Sequence, residues 1–200
     1  MAICFLAVSV DTIMEKSKKY EEYARILDYL PHGRPTRERA TFRAEPTIQL
    51  IGEAYFTLLE AIAKEGATFA PRERVYVGKD LRDKIEHITG RISYDELTSN
   101  AKSELPVVIE EIVKAQEQRF MEFFNQAQAV TPRMHALELI PGIGKKYMWA
   151  IIKAREAKPF QSFEDLKART DLPDPVKLLT KRIIEELTGE TKYRFFTRAP

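Results

Sequence analysis

The stretch Ile140-Pro141-Gly142-Ile143-Gly144-Lys145-Lys146 sets two glycines two residues apart between helix-compatible segments, with positive charge directly after them. Glycine takes left-handed backbone angles without steric cost, so the pair lets the chain reverse tightly between helices while Ile143 turns into the core. The N–H groups opening the second helix are then uncovered by side chains. With the partial positive charge of the helix behind them, they form an anion site that a phosphate can approach. Lys145 and Lys146 add charge on the same rim, and Lys153, Arg155 and Lys158 extend it against one acid, Glu156. The alternative is a purely structural turn between helices.

A second cationic stretch is PHGRPTRERATFRAEP, with Arg34, Arg37, Arg39 and Arg43 against Glu38 and with Phe42 among them. Single-strand sites combine positive charge with aromatic faces on which bases stack, and these are the right residue types. A solvated loop of no function would read the same way. Signs of catalysis are weaker. GIGKKY resembles a phosphate-binding nucleotide loop only superficially, because the positions that need glycine and Ser or Thr are Leu139 and Lys146. Asp80, Asp83 and Glu86 stand at i, i+3, i+6 spacing that could hold magnesium for phosphodiester cleavage. Lys79, Arg82 and Lys84 interleave with them, the pattern of a charge-paired solvated segment. His32, His87 and His135 lack ligand spacing. No dinucleotide fingerprint or nucleophile elbow occurs, so the expectation is a binding protein rather than an enzyme, with no organic cofactor.

The elements that must position these groups follow from composition and period. The chain of 200 residues is 44% hydrophobic, enough for a packed core, and its 32 basic and 30 acidic residues nearly cancel to +2. Contact with nucleic acid must therefore come from local patches. Cys4 is the only cysteine, which excludes an internal disulfide and a Cys-based zinc cluster and fits a reducing cytoplasm. The opening MAICFLAVSVDT is too short to span a bilayer and lacks a basic n-region, so a cytoplasmic protein without membrane contact is expected. A polar start at Met14 leaves residues 1–13 as either an added leader or an edge strand.

Residues 14–94 read as a β-rich domain of five strands: YARILDYL, TIQLI, YFTLLEAIA, ERVYVG and KIEHITGRISY. By propensity the third run fits a helix equally well. Residues 95–130 read as connecting helices, with a Ser93 to Glu96 capping box, Pro106 in a first turn, and one long amphipathic helix through PVVIEEIVKAQEQRFMEFFNQAQ. Residues 131–190 read as all-α short helices, with Thr131-Pro132 and Ser162 as helix starts. Residues 191–200, with KYRFFTRAP, form a strand-like tail. LIPGIGKKYMWAIIKARE aligns with DLPDPVKLLTKRIIEELT at an offset of 32 residues, pairing Pro141 with Pro173, Lys145 with Lys177 and Ala150 with Arg182. Asp174 and Val176 replace the glycines in the second copy.

The first copy, through Ile140, Pro141, Gly142, Ile143, Gly144 and Lys145, resembles the helix-hairpin-helix family, and FQSFEDL resembles the linker of its tandem domains. The resemblance implies binding to the phosphate backbone of DNA or RNA without reading sequence, often with a monovalent cation on backbone carbonyls near Glu138, Ile140 and Ile143. From Tyr20 to Phe196 the chain also resembles an archaeal family, the domain of unknown function numbered 655, through ILDYLPHG, GEAYFTLLEA, ERVYVGKDLRDKI, RISYDELT, FFNQAQ and LELIPGIGKK. That resemblance implies a predicted RNA-binding protein with an N-terminal barrel of the oligonucleotide-binding kind, in a translation or ribosome-maturation setting. The five short strands and long first loop independently permit such a barrel.

The expectation is therefore an α+β protein of two domains: a small N-terminal β-barrel of the oligonucleotide-binding type and a C-terminal all-α tandem helix-hairpin-helix. Its sites would be Gly142, Ile143, Gly144, Lys145, Lys146 and Lys153 with Arg34, Arg37, Arg39, Phe42 and Arg43. RNA is the favoured partner over DNA, with ribosomal or transcription proteins as further candidates. The competing readings are a protein-interaction scaffold that docks through Tyr147 and Trp149, and a metal-dependent nuclease.

Overall fold

The structure is a computed structural model and describes residues 20–33, 45–189 and 191–198. Residues 1–13 and the stretch with Arg34, Arg37, Arg39, Phe42 and Arg43 lie outside the described residues. The branched and aromatic runs form strands β1 (Tyr23–Leu30), β2 (Thr47–Gly52), β3 (Leu58–Ala63), β4 (Arg74–Tyr76) and β5 (Ile85–Arg91). These make one antiparallel sheet in the order β4-β1-β2-β3-β5. The ambiguous run YFTLLEAIA is strand from Leu58 onward, because β2 and β5 pair along both its edges. Register shifts in the β1–β2 and β3–β5 ladders increase the local twist, and the sheet curls into a half-barrel. Ala24, Ile26, Ile48, Leu50, Leu59, Ala61, Val75 and Ile85 cluster on one face of it. Leu27, Ile51, Phe56 and Leu58 join the helices in a second cluster.

The first helix, α1 (Ser99–Ala115), starts earlier than Pro106: Thr98 caps it, accepting the Ala101 N–H at 3.0 Å. Pro106 thus lies inside the helix, where its missing N–H leaves a carbonyl without its helical donor. The single long helix is also corrected. At Gln116, with φ −111 and ψ 33, it breaks into α1 and α2 (Glu117–Gln126). There the Gln116 side chain donates to the Glu53 carbonyl at 3.0 Å, a contact from a distant strand end that no helical period reveals.

Thr131-Pro132 does not start a helix. Thr131 ends β6 (Ala129–Thr131) and Pro132 opens the turn to β7 (Met134–His135) of a small hairpin, so the region from Thr131 is not wholly helical. Proline suits a tight turn as well as a first helical position, and the local sequence does not separate the two. A 3-10 turn at Ala136–Leu139 follows, then α3 (Lys145–Ala157), α4 (Phe163–Thr170) and α5 (Pro175–Thr188). Ser162 caps α4, accepting the Asp165 N–H at 3.1 Å. Glu96 accepts both the N–H and the hydroxyl of Ser93, closing the expected box around a 3-10 turn.

On α5, Arg182 and Glu186 stand one turn apart, 3% and 0% exposed and joined at 3.1 Å. Arg182 also donates to the Leu139 carbonyl at 2.9 Å and to the Tyr193 carbonyl. Glu186 accepts the N–H groups of Phe195, Phe196 and Thr197 at 2.9, 3.0 and 2.9 Å. The strand-like tail is therefore corrected: residues 191–198 are irregular, tied to a carboxylate instead of a sheet edge, with Phe195 and Phe196 packed on Phe120 and Phe123. Glu186→Ala leaves Arg182 and three N–H groups without their acceptor, and is expected to lose about 3–5 kcal/mol in urea unfolding. Glu186→Gln keeps an acceptor and should lose less; wild-type stability in Glu186→Ala would show that the pair is idle.

Candidate functional site

The chain enters the glycine turn through two tight hydrogen bonds, Ile140 N–H to the Leu137 carbonyl at 3.1 Å and Ile143 N–H to the Ile140 carbonyl at 3.0 Å. Gly142 has φ +94, and a Cβ there would lie 2.9 Å from Cδ2 of Leu178 on α5. The positive φ thus favours glycine, and the Leu178 methyl, at the end of a flexible side chain, would have to shift for any larger residue. Gly144 differs: its φ is −85, and a Cβ would meet nothing within 4 Å. What its missing side chain does is leave the mouth of α3 bare.

No side chain caps α3, and its first internal bond runs from Met148 N–H to the Gly144 carbonyl at 3.0 Å. The N–H groups of Lys145, Lys146 and Tyr147 therefore have no partner within the helix. Ile143 is buried, as its place between the glycines implies, while Gly142, Gly144, Lys145, Lys146 and Lys153 are exposed. Lys145, Trp149 and Lys153 follow at four-residue steps, which puts them on one face of α3. Trp149 is 63% exposed, whereas Tyr147 packs partly buried against the core. Arg155 does not extend the rim. Its guanidinium turns inward to the carbonyls of Phe124 and Ala127, at 2.8 and 2.7 Å, closing the end of α2, and burial lowers its pKa.

The second hairpin solves the same geometry differently. Asp171 takes the left-handed conformation at φ 54, and α5 starts at Pro175 behind Asp174. The Asp174 carboxylate accepts from Val176 N–H at 3.1 Å and Lys177 N–H at 3.4 Å. Where α3 presents bare N–H groups, α5 carries its own anion. Of the carbonyls named for a cation, Ile140's already accepts the Ile143 N–H and retains a second lone pair. Neutral carbonyl donors of this kind suit a monovalent ion.

His135 is hydrogen-bonded rather than a metal ligand. Its Nδ1 accepts the Leu137 N–H at 3.1 Å and its backbone N–H donates to the Glu138 carboxylate at 3.0 Å, which fixes the 3-10 turn ahead of the hairpin. Asp80, Asp83 and Glu86 are not brought together. Their segment is not helical, Asp80 accepts the Tyr76 hydroxyl at 3.0 Å, and among the described residues no three potential ligands converge on a metal position. Among the described residues no helix is long and apolar enough to cross a membrane.

The model of a protein family of unknown function, DUF655, matches residues 20–198. An uncharacterised protein of Methanocaldococcus jannaschii is 47% identical over 181 residues, which cover 90% of this chain and 81% of the relative. A crystal structure of an Archaeoglobus fulgidus protein of the DUF655 family model superposes with a TM-score of 0.82 at 47% identity, covering 89% of this chain and 100% of that one.

The two glycines should respond differently to substitution. Gly142→Ala is expected to lose about 1–3 kcal/mol in urea unfolding, from a positive φ and the approach of Leu178, and Gly144→Ala about 1 kcal/mol or less. Equal losses would contradict the distinction. Burial, with the Arg155 charge second, holds the pKa of His135 below its ordinary 6.5. The unfolded chain then binds the proton more readily, so this contribution to stability is full above pH 6.5 and is withdrawn as pH falls from there through the folded value. Thermal unfolding across that range should show it, and His135→Asn should flatten it.

Proposed function

The chain belongs to the protein family of unknown function DUF655, and we propose that it is a nucleic-acid-binding protein that grips backbone phosphates without reading sequence. The observation that carries this reading is the contrast between the hairpins: the mouth of α3 is bare and ringed by exposed Lys145 and Lys146, while that of α5 is filled by Asp174. A phosphate oxygen accepts from the N–H groups of Lys145, Lys146 and Tyr147, and the two lysines release counterions. Lys153 and Trp149, further along the same face, meet the next stretch of strand. The loop of Arg34, Arg37, Arg39, Phe42 and Arg43 holds a second stretch, and a monovalent cation on the carbonyls of Glu138, Ile140 and Ile143 would add positive charge beside the phosphate.

Several features favour the finer architecture. The offset repeat and the two turns favour a tandem helix-hairpin-helix, although a four-residue 3-10 turn replaces the first helix of the first copy. The order β4-β1-β2-β3-β5 matches that of a five-stranded barrel of the oligonucleotide-binding type opened between β4 and β5, but here β5 runs antiparallel to β3, where that barrel pairs the two in parallel. The preference for RNA over DNA, and for a translation or ribosome-maturation setting, rests on family resemblance. A second reading, a protein-interaction scaffold, is favoured by the exposure of Trp149 but lacks Tyr147 as an exposed second anchor. The nuclease reading loses its support with the separation of its three acids.

Fluorescence anisotropy of matched single- and double-stranded RNA and DNA across a salt series tests the proposal. Each phosphate neutralised contributes a log-log slope of roughly −0.7 to −0.9, so Lys145→Ala should reduce the slope by about one unit. Absence of binding to all four ligands at low salt would turn the assignment to the scaffold.

A further inference from the structure

Among the described residues β4 and β5 form no ladder with each other, and a cavity of ≈310 Å³ lies at this open mouth of the half-barrel. Its floor is apolar, made by Leu59, Val77 and Ile88 from the interior of the curl. Its rim is cationic, with Lys79, Arg82 and Arg91. The one acid in the lining, Glu21, is buried and holds the N–H groups of Ala54, Tyr55 and Thr57 at 2.9, 3.0 and 3.1 Å. Arg82 is held in place by Nε bonds to the carbonyls of Val77 and Gly78, at 3.3 and 2.9 Å. Arg91 is exposed, and its side chain has no hydrogen-bond or ion-pair partner among the described residues. Tyr20, 49% exposed, stands at the edge with Lys79 Nζ 4.6 Å from its ring centre. Gly90 keeps the space open: a Cβ there would meet nothing within 4 Å, and its backbone is not left-handed.

An apolar floor, an aromatic edge and three cations without a free acid fit a ligand with one flat apolar part and one negative group. An inorganic anion would leave the floor unused, and an apolar ligand would leave the cations unused. A nucleotide uses both. The cavity is at the low end of the roughly 300–1,000 Å³ of ligand pockets, the size for one base and its phosphate. We propose that the mouth of the half-barrel between β4 and β5 binds a single nucleotide, its base on Leu59, Val77 and Ile88 beside Tyr20 and its phosphate on Lys79, Arg82 and Arg91. The source is either a free nucleotide or an unpaired nucleotide of a strand. The α3 hairpin lends no residue to this pocket, so the site stands independently of the phosphate grip described above.

Amide NMR of the full chain tests it, with adenosine and uridine 5′-monophosphates, adenosine, inorganic phosphate and a tetranucleotide as probes. Saturable shifts at Tyr20, Leu59, Val77, Ile88 and Gly90 are expected with a nucleotide. Adenosine or phosphate alone should bind at least about tenfold more weakly, because each keeps only half of the contacts. Shifts here with the monophosphates assign a free nucleotide, and shifts with the tetranucleotide alone assign a strand. Gly90→Leu, which fills the open space, should abolish the shifts, and Arg91→Ala should weaken binding about tenfold. If Gly90→Leu fails to fold, the exposed Arg91 decides. Absence of saturable shifts with every nucleotide probe, or unchanged affinity in Arg91→Ala, would overturn the proposal. Signals of Lys145 to Tyr147 report the hairpin separately, so either reading can fail without the other.

Discussion

A guanidinium and a carboxylate buried together on α5 are the constraint on which the helical half of this protein depends. Taking two charges out of water is costly unless their remaining donors and acceptors are met. Here they are: Arg182 reaches the Leu139 carbonyl in front of the glycine turn and the Tyr193 carbonyl in the tail, and Glu186 gathers three successive N–H groups of that tail. One buried pair thus ties together the entry to the first hairpin, the helix of the second hairpin and the C-terminal segment. In the repeat, Arg182 occupies the position of Ala150. The second copy therefore supplies the clamp, and the first is left to present its turn.

The same division of labour runs through the two helix mouths. Both turns use a left-handed residue, Gly142 in one and Asp171 in the other. Only the first omits a capping side chain, and the lack is not forced by crowding, since the space beside Gly144 is open. Uncapped N–H groups at a helix start cost stability unless water or an anion meets them. Their retention next to two exposed lysines is what turns a structural hairpin into a candidate phosphate site.

What the sequence made legible was local. The five strand runs and the Ser162 cap follow from side-chain type and period, and the glycine turn follows from the few residues that build it. What it hid was non-local. The helix break at Gln116 answers to Glu53, far back in the chain; the tail answers to Glu186; Arg155, counted with the basic rim, is drawn inward by the open end of α2. Thr131-Pro132 was ambiguous even locally. The cavity at the β4–β5 mouth gathers Tyr20, Leu59, Val77 and Arg91 from separate segments, and no spacing in the chain announces it.

The most direct test of the central claim compares the two helix mouths within one molecule. Backbone amide shifts recorded while a short RNA is added should be largest at Lys145, Lys146 and Tyr147 and near zero at Val176 and Lys177, whose N–H groups already hold Asp174. Equal shifts at both mouths, or RNA-dependent shifts that leave Lys145 to Tyr147 unmoved, would contradict the assignment of the bare α3 terminus as the phosphate site.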